Sequence, residues 1–199
     1  TRAGIPIVGR DISLQPREAD LQYIRALPEL TSIPNDRPRL IVHPGSRSAC
    51  RMWPAKNFAA VLDEIQGSGL ASVTLVSGPA EKALTDEIQR LMKTPVADLN
   101  QGFSLPQLGA LLSTFDLLLC HDSGPMHLAA AVGTPVVALY GSQDRVLFAP
   151  VGAGHICLSP PLPCLHCVLP NRCTPGDSYH TYCVRNIRES DVVAAVTAQ

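Results

Sequence analysis

Asp122, Ser123 and His127 stand close together in the run Leu117 to Tyr140, LLLCHDSGPMHLAAAVGTPVVALY. A carboxylate, a hydroxyl and an imidazole at this spacing admit two chemistries: a Ser-His-Asp hydrolase, or recognition of an anion at a helix start. The hydrolase reading lacks the strained G-x-S-x-G turn that exposes a nucleophilic serine. The anion reading follows from the flanks. Leu117 to Cys120 is a continuous apolar run, which predicts a buried strand of a parallel sheet. Pro125 suits the first helical position, where its missing N–H would have no intrahelical partner, so Gly124 or Ser123 is the expected N-cap. The N–H groups of Met126, His127 and Leu128 then point out of the helix start. With the helix dipole they form an anion site above the carboxyl end of a strand, and phosphate is the natural anion. His127 can donate to a phosphate oxygen. Asp122 would repel one, so it caps the helix or orients a neighbour. Simple capping by Asp122 and Ser123, with His127 an ordinary surface residue, is the plain alternative. Ala129, Ala130 and Ala131 let the helix lie close on the sheet.

Other loops add candidates. Pro44-Gly45-Ser46-Arg47-Ser48 follows an apolar stretch and can present N–H groups and a hydroxyl to a phosphate. Arg51-Met52-Trp53-Pro54 supplies a guanidinium; the alternative makes Arg51 a solvated charge and Trp53 core. Glu81 opens a helix, where the dipole alone would favour it. Phe103 sits at another strand-to-helix loop, where hydrophobic core is its plain reading.

Elements must hold these residues in place. Strands are expected at Arg39 to His43, Ala71 to Ser77, Val96 to Leu99, Leu117 to Cys120 and Pro135 to Tyr140. Helices are expected between them: Lys56 to Gln66 with Phe58, Val61, Leu62 and Ile65 on one face, Glu81 to Met92, and a third running to Ser113 that opens on the capping box Ser104-x-x-Gln107. Glu189 to Ala198 closes the chain with Val192, Val193 and Val196 inward. Pro16 to Leu27 forms an early helix with Leu21, Ile24 and Leu27 on one face; Pro28, Pro34 and Pro38 then make a linker, with a domain boundary near Asp36. Strands alternating with helices predict an α/β, Rossmann-like parallel sheet with helices on both faces. Residues 146 to 187 are expected to be an irregular excursion.

With 199 residues, 46% apolar and 17% charged, and a net charge of −1, the chain has the character of a soluble globular protein with no electrostatic pull toward nucleic acid. No apolar run approaches the roughly 20 residues that span a bilayer, and no signal-peptide pattern opens the chain, so a cytoplasmic protein is expected. Of seven cysteines, Cys50, Cys120 and Cys157 read as small apolar residues. Cys164-x2-Cys167-x5-Cys173-x9-Cys183 could hold a tetrahedral zinc, with His166 and His180 as spare ligands. Free or structural thiols are the preferred reading over zinc, and a reducing cytoplasm disfavours disulfides.

Asp122 to Ala131, with Gly133-Thr134-Pro135 and Leu139-Tyr140-Gly141, resembles the D-[ST]-G-x-x-H-x-A-A-A signature of the lipopolysaccharide heptosyltransferases, glycosyltransferase family 9. The Gly45 to Pro54 segment resembles that family's G-[ST]…K-x-W-P phosphate segment, with Arg51 where a lysine is usual. The substitution keeps the charge but changes reach and donor geometry. A C-x2-C…C…C insert before the last helix is also common in the family. The resemblance implies a GT-B architecture of two Rossmann-like domains facing a cleft. Residues 37–199, with a Cys-rich insert at 157–187, would be its C-terminal, donor-binding half; residues 1–36 would be a remnant of the N-terminal domain and a linker. It further implies inverting transfer of a sugar, usually heptose from ADP-heptose, to a lipopolysaccharide core acceptor, with no metal required. Ser46, Arg51, Asp122, Ser123, Gly124 and His127 would meet the donor diphosphate, Glu81 the ribose hydroxyls and Phe103 the adenine. The general base and the lipid-linked acceptor would belong to the N-terminal domain, so this chain should bind donor but transfer sugar poorly or not at all alone, and the whole enzyme would work peripherally at the inner membrane. A sugar-nucleotide epimerase on the same architecture, and a non-enzymatic nucleotide-binding module, are the competing functions.

Overall fold

The computed structural model describes residues 12–47, 51–141, 143–160 and 182–199. Six parallel strands form one sheet: β1 (Arg39–His43), β2 (Ser72–Val76), β3 (Ala97–Leu99), β4 (Leu117–His121), β5 (Val136–Leu139) and β6 (Ile156–Leu158), in the order β3-β2-β1-β4-β5-β6. β1 and β4 are the central pair, with Leu40 beside Leu117 and His43 beside Cys120. Successive apolar residues in both strands demand cover on both faces, because alternate side chains point to opposite sides.

Helices supply that cover. On one face lie α3 (Ala55–Gly67), α4 (Lys82–Leu91) and α8 (Glu189–Thr197), burying Phe58, Leu62, Ile65, Ile88 and Val192 against Leu40, Val42 and Leu119. On the other lie α1 (Glu18–Arg25), α5 (Leu105–Leu112) and α6 (Gly124–Ala131), burying Ile24, Leu111, Met126 and Ala129 against Ile41, Leu118 and Cys120. The chain thus winds outward from β1 on one face, crosses over through α5, and winds outward from β4 on the other. The predicted Rossmann-like sheet is the observed one.

Several expected boundaries move. Pro28 breaks α1 but also opens a short helix, α2 (Pro28–Thr31), since proline is tolerated in a first turn. A 3-10 turn, Pro79–Glu81, precedes α4 and leaves Glu81 at that helix's N-cap. β6 and α7 (Tyr182–Arg185) lie in the stretch expected to be irregular. Three half-buried edge residues carry too little periodicity to be read as a strand. The predicted boundary near Asp36 falls between segments that share a core: Ile24 is fully buried, and the Leu14 N–H donates to the Ala131 carbonyl at 2.7 Å. Thr1 to Gly9, Ser48, Cys50, Cys164, His166, Cys167, Cys173 and His180 lie outside the described residues. Of the proposed zinc ligands only Cys183 is described, half-buried in α7.

Candidate functional site

Neighbouring strands whose following helices pack on opposite faces leave a crevice at their carboxyl ends, and ligands of open α/β sheets bind there. Between β1 and β4 that crevice is a depression of about 600 Å³. The loop after β1 brings Ser46, Arg47 and Arg51 to it, and the turn after β4 brings Asp122, Ser123, Gly124 and His127. Glu81 enters from the loop after β2, and His43 from the end of β1 itself. A second concavity of similar size lies at the amino ends of the strands, near Arg39 and Asp116. There the Arg39 guanidinium donates to the Thr114 carbonyl and lies over the Phe115 ring, while Asp116 accepts the Arg39 N–H.

The helix start differs in detail from expectation. α6 begins at Gly124 with Ser123 as N-cap, which places Pro125 one position further in, and the Met126 N–H donates to the Ser123 carbonyl at 3.1 Å. Met126 is therefore not a free donor. Ser123 makes no side-chain cap; its hydroxyl donates to the His121 carbonyl at 3.2 Å. Its described bond thus runs away from His127, so the nucleophile-and-base arrangement of a hydrolase is not formed. His127 is exposed on the wall of the depression. At the far end, Gly133 takes a positive φ of 87° that only glycine adopts readily, and the Thr134 N–H closes the last turn on Ala129.

Asp122 does not cap the helix but faces Arg51, with its Oδ2 3.6 Å from Arg51 Nη1. Burial raises its carboxyl above the ordinary aspartate range, and the charges of Arg51 and His127 oppose that rise. Because the pair is longer than a hydrogen bond, the guanidinium keeps donors for a ligand. Glu81 is held below the ordinary glutamate range, chiefly by its bond to His43 (Nε2 to Oε2, 3.3 Å), with the Gly78 N–H at 3.0 Å adding to it and burial opposing. Phe103 is not brought to the depression: it is half-buried and packs on the core of the α5 face.

Sequence reasoning missed His43, Arg47 and His121. His43 and His121 each end an apolar strand at the carboxyl edge of the sheet, and that position was the available signal. His121 is fully buried beneath the depression; its Nε2 accepts the Trp53 N–H at 2.7 Å, and its Nδ1 lies 3.4 Å from the Gly45 carbonyl. Burial first, and then the neighbouring His43, lower its pKa to about 4, against the opposing pull of Gly45 and Glu81.

Comparison with known proteins places this geometry. Residues 8–174 match the model of glycosyltransferase family 9 (heptosyltransferase). Lipopolysaccharide heptosyltransferase 3 of Escherichia coli is 35% identical over 114 residues, covering 56% of this chain and 33% of that protein. A family 9 glycosyl transferase from Veillonella parvula superposes with a TM-score of 0.77 at 23% identity, covering 94% of this chain and 53% of the other. The E. coli ADP-heptose lipopolysaccharide heptosyltransferase II superposes with a TM-score of 0.73 at 21% identity, covering 94% and 52%. The chain therefore spans about a third of the curated relative it matches and about half of each solved structure.

Proposed function

Because this chain belongs to glycosyltransferase family 9, the heptosyltransferase family, we propose that it is the donor-binding half of a sugar transferase acting on lipopolysaccharide core. The observation that carries the reading is convergence: Ser46 and Arg51 from the loop after β1 and the Ser123 to His127 helix start after β4 line one depression. A hydroxyl, a guanidinium, an imidazole and a helix amino end together suit a diphosphate. ADP-heptose is the donor proposed, in keeping with the name of one structural neighbour.

The reaction is an in-line displacement. The acceptor hydroxyl attacks the anomeric carbon on the face opposite the diphosphate. A carbon–oxygen bond forms as the bond to the leaving phosphate oxygen breaks, and the configuration inverts. The nucleoside diphosphate departs with the electron pair, and the hydroxyl proton passes to a base supplied by the part of the longer relatives that this chain does not span. Arg51, held by Asp122, and the α6 start stabilise the charge that builds on the leaving group. Glu81, paired with His43, is assigned to the ribose hydroxyls. Phe103 is assigned to the adenine, and to reach it would have to turn from the core. The acceptor is lipid-linked, so the work is done at the cytoplasmic surface of the inner membrane; among the described residues no helix is long and apolar enough to cross one.

Calorimetric titration with ADP, GDP and UDP tests the reading. ADP should bind selectively, with Arg51→Ala and His127→Ala each about tenfold or more weaker, as expected for loss of a charged hydrogen bond of about 1.5–3 kcal/mol. Sugar transfer by the chain alone should be slow or absent, and restored when an amino-terminal family domain is joined to it. Equal affinity in both variants, or no nucleotide bound even by the joined protein, would sink the assignment.

A further inference from the structure

A histidine sealed beneath an anion site needs a reason, because burying an imidazole costs free energy unless its nitrogens are satisfied. His121 satisfies both with backbone groups at the two ends of one loop: Nε2 accepts from Trp53, and Nδ1 faces the Gly45 carbonyl. A backbone N–H can only donate and a carbonyl only accept, so this pattern requires the neutral ring with its proton on Nδ1. The loop so tied contains Ser46 and Arg51, the two groups it carries to the depression as candidate diphosphate ligands. The surroundings hold the ring in place. Phe58 stands edge-on to it with ring centres 5.5 Å apart, Trp53 stands edge-on to Phe58 at 5.1 Å, and the Trp53 indole N–H donates to the Ile187 carbonyl at 3.2 Å. The loop is thereby anchored to the end of β4, the strand that also carries Asp122 and the α6 start.

We propose that His121 is a positioning residue for the donor diphosphate, drawing both ends of the Gly45–Trp53 loop onto β4 so that Arg51 and Ser46 stand opposite the α6 start. The role rests on the donor-site reading above. It differs from core filling because a buried ring that only filled space would not need one tautomer, nor would its loss act through Arg51.

Two measurements separate the clamp from the ligand. Long-range proton–nitrogen NMR of the wild-type chain reads the tautomer, and amide exchange at Trp53 reads the clamp. Nδ1 should be protonated, Nε2 unprotonated, and the Trp53 amide protected, with protection lost in His121→Leu. In ADP titrations of variants shown by thermal unfolding to be folded, His121→Leu should bind about tenfold more weakly. His121→Asn, which keeps a donor for Gly45 but cannot reach Trp53, should lie between. In an Arg51→Ala background His121→Leu should cost less than about twofold, whereas with His127→Ala the effects should multiply, since only coupled residues depart from additivity. A proton on Nε2, or folded His121 variants that bind ADP within twofold of wild type, overturns the proposal. Should neither variant fold, the wild-type tautomer decides whether the clamp exists. If neither the wild-type chain nor the protein joined to an amino-terminal family domain binds nucleotide, the donor reading and the positioning role fall together, while the Trp53 amide still shows whether the loop is clamped; if only the joined protein binds, the variants are titrated in it.

Discussion

Gly45 lies against the Glu81 carboxylate with no room for a side chain between them. A Cβ built there would lie 1.8 Å from Oε1 of Glu81, whose carboxylate is held by His43 and the Gly78 N–H. Gly45→Ala must therefore push that carboxylate off both partners. We expect a loss of about 1–3 kcal/mol in urea unfolding, the cost of breaking a charged hydrogen bond in a partly buried place, and much less in a Glu81→Ala background, where nothing is displaced. Glu81 itself was legible only as a first-turn acid with a ribose or dipole role. Its bond to His43 joins segments far apart in the chain, which no local pattern encodes. Arg51 and His127 were legible as neighbours of the depression because each sits in a segment that resembles a family motif. Phe103 was ambiguous at this scale, since a half-buried ring beside a loop has the same sequence whether it meets a ligand or a core.

Among the elements, α5 shows what local chemistry can specify. Ser104 and Gln107 form the expected capping box: the Gln107 side chain accepts the Ser104 N–H at 3.0 Å, and the Ser104 hydroxyl accepts from the Gln107 N–H at 3.4 Å. Ser104 is exposed, so capping is its main contribution. Ser104→Ala should destabilise by about 1 kcal/mol and Ser104→Gly by only a few tenths in the same urea assay; equal costs would argue that the cap is idle. α3 and most of α8 were legible, because a helix repeats its buried face every turn: Phe58, Val61, Leu62 and Ile65 are buried as expected, as are Val192 and Val196, whereas Val193 is only half-buried against the core and Ala195 is buried in its place. β6 was not, being three edge residues paired only to β5. At the start of α6, Ser123, one of the two expected N-caps, takes that position, and Pro125 falls one residue further into the helix than expected. A proline fits either of the first two helical positions alike, since neither N–H has an intrahelical partner there, so the sequence leaves the choice to the packing of the preceding turn.

For the molecule as a whole, His121 makes stability depend on pH. Between about 6.5 and about 4 the unfolded chain binds a proton at this histidine that the folded chain refuses. Stability therefore rises with pH through that window and is lost as pH falls from 6.5 to 4, by up to about 3 kcal/mol from this one group. Glu81 adds a loss at lower pH: its folded-state carboxyl is depressed, so its contribution is present above the ordinary glutamate range and disappears as the carboxyl protonates. Asp98 and Asp122, raised by burial, act in the opposite sense, so the His121 share is read as wild type minus His121→Leu, by urea unfolding at the two ends of the window. A slope unchanged in the variant would mean that the ring is not buried neutral. The sequence by itself determined the first five strands and the helices between them, most of their buried faces, the α5 cap and the two segments proposed to meet a phosphate, because each is a pattern among near neighbours. Only the tertiary structure decided that β1 lies beside β4, that the helices after them pack on opposite faces, and hence that Arg51, Glu81, Asp122 and His127 share one crevice with His121 beneath it. Strand order follows from how whole faces bury one another, and that sum runs over contacts between segments distant in the chain.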